Sequence, residues 1–421
     1  MFEDESIGLN SDRAWTCLSD LQSDQEKASI LVPTQKGIAS YSAAPQARES
    51  MRAPRLNLLT LQTTKECNLR CRYCYLEPGD IDRGRLSVDV TRKILRDIVG
   101  YHVQNEIDTG ISVVFHGGEP LLLGHDYFGQ VFAYQSELEA HFAIKSFSNS
   151  IQSNITLLDE EYCEMFKDRA VSIGTSIDGP AFLHDRNRGA QTPRSDHAWV
   201  MNRVRLARDH GISVGAICVV TKDKLGFAEE ILTFFEEEQM SFKVNKLFVN
   251  GMAKHNKGDV STTPEEYATF MKDMFDAWYG RSPRVVIENL MEIMGLVLVG
   301  RGAGNCASSN CATRHVTLCH DGDLYTCGRT TQDPSFRLGN VNDMTMQELA
   351  DSSALATFAS RVPSGIQECA QCDVSDACFG GCMYEAYLNS GTVFAPEGNC
   401  DVFRDLYRHV ESRILADLSS H

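Results

Sequence analysis

The stretch Cys67–Cys74, CNLRCRYC, decides how this chain is read. It sets three cysteines at the spacing C-x3-C-x2-C, directly after an apolar segment, Leu56–Thr63. A tight triple of thiols in an intracellular chain points to metal rather than to nucleophilic catalysis. Three ligands are informative, because a structural zinc site closes with four and leaves no position open. A cubane iron–sulfur cluster held by three thiolates leaves one iron for a substrate or cofactor. The spacing also leaves open a zinc ion whose fourth ligand lies elsewhere in the chain.

The remaining composition narrows the classes. At 421 residues the chain can bury a large core and divide into two or more domains. Its 43% hydrophobic and 23% charged content is that of a soluble globular protein. A net charge of −17 argues against nucleic acid as a partner, since phosphate binding needs a basic surface. Fifteen cysteines are many for this length. The opening MFEDESIGLN has neither a basic region nor an apolar core, so an export signal and a disulfide framework are not expected. The longest apolar run, Met294–Val299, is too short to cross a bilayer. A cytoplasmic protein with no membrane partner is the expectation.

Residues 1–50 are polar and weakly periodic and read as an extension, with Cys17 an ordinary thiol. From Leu56 onward strand-like and helical patterns alternate. Strands are expected at Leu56–Thr63, Ile111–Phe115, Ile144–Gln152, Val171–Ile177, Ile212–Val220 and Phe242–Val249. Helices are expected at Ser87–Val103, Asp159–Arg169, Ser195–His210 and Phe227–Glu238, with Gly211 as a C-terminal cap. Such alternation implies a parallel sheet with right-handed crossovers. Six units are too few for a closed eightfold barrel, so the fold class is α/β, an open partial (β/α)6 barrel with its site at the C-terminal strand ends. The cysteine loop lies at that end. Two helices follow, Pro264–Tyr279, capped by Thr263, and Val285–Val299. Beyond Gly300 cysteines crowd in, at 306, 311, 319, 327, 369, 372, 378, 382 and 400.

With Tyr73 before its last cysteine, CNLRCRYC resembles the cluster loop of radical S-adenosylmethionine (SAM) enzymes. The segment His116–Pro120, HGGEP, resembles that family's cofactor-binding motif. The likeness implies that Gly117, Gly118 and Glu119 hold the amino group of S-adenosylmethionine. A carboxylate accepting from an ammonium is a charge-assisted bond, which makes chemical sense of Glu119. SIQSN, and SIDGP followed by HDRNR, look like the segments that meet the ribose and carboxylate, making Asn154, Ser176, Asp178 and Arg188 cofactor contacts by the same likeness. Read without it, Asp178-Gly179-Pro180 serves equally as a strand-ending turn, His184 as a local hydrogen-bond partner, and Cys163 and Cys218 as small apolar core residues.

Cys369, Cys372, Cys378 and Cys382 form C-x2-C-x5-C-x3-C, followed by Cys400 and preceded by Cys306, Cys311 and Gly322-x4-Cys327. This resembles the SPASM appendage of peptide-modifying radical enzymes. The resemblance implies two auxiliary [4Fe–4S] clusters, one on Cys306, Cys311, Cys327 and Cys382, the other on Cys369, Cys372, Cys378 and Cys400. With the cluster on Cys67, Cys71 and Cys74 that makes three. By geometry alone, two zinc sites fit eight thiolates equally well. Cys319 is left over, a packed strand residue or a thiol near clusters or substrate. The implied organisation is an extension (1–50), a radical SAM partial barrel (51–260), a helical linker (261–304), a SPASM domain (305–405) and a C-terminal helix (406–421).

The chain departs from the family at two points. In anaerobic sulfatase-maturing enzymes an Asp acting as base follows the cysteine of G-x4-C, and here that place is Gly328. The first fifty-odd residues are too short and polar for a winged-helix-like, leader-gripping domain. FHGGEPLLLG is closest to maturases that form cyclophane rings. The expectation is therefore a maturase of a ribosomal (RiPP) precursor peptide that forms an oxidative side-chain crosslink, carbon–carbon first, thioether second, epimerisation third. An electron donor such as flavodoxin or ferredoxin is implied. The non-enzyme alternative is an iron–sulfur electron carrier, which needs neither HGGEP nor SIDGP.

Overall fold

The computed structural model describes residues 33–34, 37–38, 53–76, 84–142, 144, 147–189, 194–279, 281, 285–300 and 306–420. Of the 1–50 extension only the short strands Pro33–Thr34 and Gly37–Ile38 are described, and Cys17 lies outside the described residues. The alternating units are β1 (Leu58–Gln62), α1 (Val88–Gln104), β2 (Ser112–His116), α2 (His125–Phe142), β3 (Ser148–Ser153) and α3 (Glu160–Asp168). They continue with β4 (Ser172–Ser176), α4 (His197–Asp209), β5 (Val214–Val220), α5 (Ala228–Glu237) and β6 (Phe242–Lys246). The six strands pair in parallel in chain order, and the sheet is open.

Local chemistry explains the boundaries. Ser87, Asp159 and Asp196 cap α1, α3 and α4 by accepting from Val90, Tyr162 and Trp199 backbone N–H groups. Gly211 ends α4 at φ +78°, the left-handed conformation that suits a residue without Cβ. Helix α6 (Pro264–Tyr279) opens with a reciprocal box, Thr263 Oγ1 accepting from Glu266 N and Glu266 Oε2 from Thr263 N.

Every second strand residue packs on the helices. Phe115 meets Phe128 of α2 at 5.2 Å between rings, and Asn149 exchanges two amide hydrogen bonds with Gln135 of the same helix. The alternate residues, among them His116, Gln152, Ser176, Ile217 and Val219, are only half-buried and line the inner face.

Further chain pairs with both flanks of the six parallel strands. Beyond β6, residues 285–287 are extended rather than helical, correcting the expected helix start, because Val286 O accepts from Phe242 N. Helix α7 therefore begins later, as Glu288–Val299, and its Asn289 side chain continues the pairing with both backbone groups of Val244. On the other side β7 (His315–Cys319) pairs in parallel with β1, and β8 (Asp323–Tyr325) and β9 (Arg337–Asn340) follow antiparallel. The cysteine-rich region thus continues the sheet of the barrel. An edge strand left bare would template aggregation. The last helix, α8, spans Cys400–Ser420 and so starts before the expected 406. Among the described residues no helix is long and apolar enough to cross a membrane.

Candidate active site

The backbone after β1 runs beside HGGEP. Gly118 N donates to Thr64 O (2.7 Å) and Glu119 N to Glu66 O (2.8 Å). A Cβ on Gly117 would lie 2.3 Å from Thr64 O, and one on Gly118 2.0 Å from Glu66 O. The paired glycines are thus required by the approach of the cysteine loop's own backbone. Glu119 is fully buried, and its carboxylate accepts from Ser153 Oγ (2.7 Å), Asn154 N (2.8 Å) and Leu121 N (3.0 Å). Its side chain therefore ties the end of β2 to the end of β3. Burial raises its pKa above the usual carboxylate value, against the pull of those donors.

Asn154 reaches the loop directly, donating to Asn68 Oδ1 (2.9 Å) and lying 3.7 Å from Cys67 Sγ. Tyr73, between Cys71 and Cys74, donates to Asp178 Oδ2 (2.7 Å) and accepts from Arg188 Nε. Lys224 Nζ lies 3.3 Å from the same carboxylate, with both side chains 0% exposed, and donates to Thr221 Oγ1 (2.6 Å). The sequence reading missed Lys224, which follows β5 in a polar run with nothing to distinguish it from a surface lysine. Although burial opposes ionisation, Lys224 and Arg188 together hold the Asp178 carboxyl below its ordinary value. Arg188 stays charged because Cys71, Tyr73 and Asp178 outweigh the effect of burial. Ser176, at the end of β4, accepts from Gln152 Nε2 at 3.4 Å.

Cys67, Cys71 and Cys74 are free thiols, and charge on Cys71 and Cys74 bears on Cys67. Among the described residues no three His, Cys, Asp or Glu side chains converge on one ion. In a cubane each thiolate binds a different iron, so the sulfurs stand further apart than around one zinc. His184 is buried with both ring nitrogens unpartnered among the described residues, so the expected local hydrogen bond is absent. Cys163 and Cys218 are buried in the apolar core.

Cys319 ends β7 level with Gln62 and donates its thiol proton to Gln62 Oε1 (3.2 Å). Burial pushes this thiol up to about 12. Gln62 in turn donates to Thr331 Oγ1 (3.2 Å), tying β1 to the loop after Cys327. Burial raises the pKa of Tyr75, which also lies near enough to both Cys74 and Cys327 for their charge to act on it. Its ring stands edge-on to His116 at 6.4 Å. Arg329 keeps 39% of its side chain accessible and lies 3.6 Å from Glu385 Oε1. At Gly328 an added Cβ would meet nothing within 4 Å.

In the appendage the thiols fall into neighbourhoods. Charge on Cys306, Cys327 and Cys382 bears on Cys311. Cys400 and Cys369 bear on Cys378, and Cys369 and Cys372 on Cys400. A surface depression lined by Pro180, Phe182, Glu229, Glu230, Thr233, Phe234 and Glu237 lies among the outer helices and includes none of these residues.

Residues 61–234 match the Radical SAM superfamily, and residues 306–373 match SPASM, an iron–sulfur cluster-binding domain. The chain is 28% identical to the cysteine-type anaerobic sulfatase-maturating enzyme of Clostridium perfringens (strain 13), over 86% of this chain and 98% of that one. It is 25% identical to the serine-type enzyme of Bacteroides thetaiotaomicron, over 75% and 80%. Native anSMEcpe with bound AdoMet has a similar fold, at a TM-score of 0.74, 24% identity and 86% and 99% coverage. So does Streptococcus suis SuiB bound to precursor peptide SuiA, at a TM-score of 0.60, 15% identity and 95% and 84% coverage. The chain is an enzyme with a radical SAM domain followed by a C-terminal SPASM domain.

Proposed function

We propose that this enzyme matures a peptide by a net two-electron oxidation that joins two of its side chains, a carbon–carbon crosslink of the cyclophane type. What supports the reading is the eight-thiol appendage, where Cys306, Cys327 and Cys382 lie near enough for their charge to act on Cys311, and Cys369 and Cys400 near enough to act on Cys378. Two fully ligated clusters offer no open iron for a substrate thiol and serve better as an electron exit. In this reading Cys306, Cys311, Cys327 and Cys382 hold one cluster, and Cys369, Cys372, Cys378 and Cys400 the other.

Cys67, Cys71 and Cys74 are the proposed ligands of a third cluster beside S-adenosylmethionine. Bound there, that pair supplies a carbon radical able to take a hydrogen atom from an unactivated carbon. The protein's own residues position and protect. Asn154 steadies Cys67, and Asp178, Lys224 and Arg188 brace Tyr73 from beneath. Gly117, Gly118 and the Glu119 backbone bring the second strand end against the loop, and Ser176 faces the same interior. The solved neighbours include anSMEcpe with bound peptide and SuiB with a precursor peptide, which supports a peptide substrate. Gly328 leaves the family's base position without a side chain, which favours crosslinking over sulfatase maturation.

The new bond forms as two hydrogens leave the peptide, one as an atom and one as a proton with its electron passed to the protein. Incubation with the cognate precursor in deuterated water tests this. The expected product is lighter by two hydrogens, with no solvent deuterium at an α-carbon. An unchanged formula with deuterium there sinks the reading and favours epimerisation. Cys319 supports that second reading, because its thiol sits at a strand end level with Gln62 and can return a hydrogen atom.

A further inference from the structure

Arg361 follows the helix Ser353–Ala359 and is 5% exposed. A guanidinium has five N–H donors, and here all five are engaged. Nε donates to Val393 O (2.6 Å), Nη1 to Gly381 O (3.0 Å) and Phe379 O (3.4 Å), and Nη2 to Gly380 O (2.6 Å) and Ala395 O (3.1 Å). Every acceptor is a backbone carbonyl, and no described carboxylate pairs with it. Carbonyls satisfy the hydrogen bonds of a buried cation but leave its charge uncompensated.

The turn that cups Arg361 is built for the purpose. Phe379, Gly380 and Gly381 all have positive φ, at 58°, 80° and 70°, so three carbonyls in a row face one side chain. A Cβ on Gly380 would lie 3.3 Å from both Nη atoms. The turn joins Cys378 to Cys382, which belong to different quartets in the reading above. After burial, which lowers its pKa, the influences on Arg361 are Cys382, Cys369, Cys311 and Cys378, two thiols from each quartet.

We propose that Arg361 is the cation shared by the two auxiliary clusters, placed behind the turn that separates their ligands. The proposal rests on the two quartets of the preceding section. A cluster on four thiolates is an anion, because the ligand charge exceeds that of the core. One guanidinium between two such anions lowers the repulsion between them and favours their reduced forms, raising both reduction potentials. Arg361 is thus a positioning and tuning residue, with no contact to substrate.

Potentiometric titration of the fully reconstituted protein, followed by electron paramagnetic resonance, tests it. In Arg361→Gln both auxiliary midpoints should move to lower potential while the cluster on Cys67, Cys71 and Cys74 stays in place. Arg361→Lys should restore both midpoints. Full iron with unmoved midpoints in Arg361→Gln, or movement of one alone, overturns the proposal, as does Arg361→Lys behaving like Arg361→Gln. If neither variant loads auxiliary iron, the iron-free proteins decide. Melting as the wild type does supports a cation needed by the clusters, and a lower melting temperature makes Arg361 a structural brace and ends the proposal. Wild-type protein that binds zinc, or a single auxiliary cluster, overturns the quartets and this inference together. Wild-type protein with both clusters and unmoved variants overturns this inference alone.

Discussion

The cations beneath the first cysteine loop and those of the appendage are held in different ways. Under the loop, Lys224 and Arg188 converge on Asp178 and Tyr73, side chains supplied by separate strand ends of a rigid sheet. In the appendage, Arg361 is held by carbonyls of the segments that carry the thiols themselves. The first arrangement gives its two cations a carboxylate partner; the second offers its cation none. The barrel should therefore keep its shape without iron, whereas the appendage should depend on it.

The sharpest way to break that contrast is to remove the first cluster alone. Replacing Cys67, Cys71 and Cys74 together with Ala should abolish reductive cleavage of S-adenosylmethionine and lower bound iron by about a third, since auxiliary thiolates lie elsewhere. Full cleavage by this variant would remove the loop from the chemistry.

Next in size is Glu119→Ala. By the family likeness Glu119 is a cofactor-facing residue, whose loss would weaken the cofactor more than the fold. The structure reverses that order, because the carboxylate is buried and engaged three times. Hydrogen bonds to a charged group are worth about 1.5–3 kcal/mol each, so chemical denaturation of the iron-free variant should show a loss of at least ~2 kcal/mol. An unchanged unfolding midpoint returns Glu119 to a purely ligand-facing role.

Acid should loosen the sheet that the barrel shares with the appendage. His184 is held down to about 3 by burial, and His116 and His315 to about 4. A histidine whose folded value lies below its unfolded value stabilises the fold above the unfolded value, near 6.5. It costs about 1.4 kcal/mol per pH unit as pH falls below that, until its folded value is reached. His184→Leu should flatten the loss of stability between pH 6 and pH 4 by about that slope, measured by urea unfolding at each pH. An unchanged slope means that His184 is already charged when folded. The smallest effect belongs to Gly328→Ala. Its Cβ meets open space and its φ is not in the left-handed region, so stability should change by less than ~0.5 kcal/mol.

The parallel alternation was legible because β-branched runs and capped helices announce themselves locally, as at Asp159 and Gly211. Helix α2 is not among the expected segments. Its buried face mixes Tyr127, Phe128 and Phe132 with the polar Gln135, which blurs the apolar stripe. Lys224 and Arg361 were invisible for a related reason. A buried cation looks like a surface cation until the fold brings up its partners, and those of Arg361 are backbone carbonyls that have no letter in a sequence. The attachment of β7 to β1 was hidden likewise, since parallel pairing over such a separation leaves no local mark.

That attachment has a consequence for how the protein is made. Gln62 and Cys319 are 257 positions apart. At roughly 5–20 residues per second, the ribosome needs about 13–50 s to go from one to the other. Once Ser112–His116 has been made, β1 has β2 on one side and, until 315–319 follows, no strand on the other, with the cysteine loop standing at its end. The nascent chain thus passes through a stage in which the first loop is formed and still uncovered, and synthesis of 315–319 closes it.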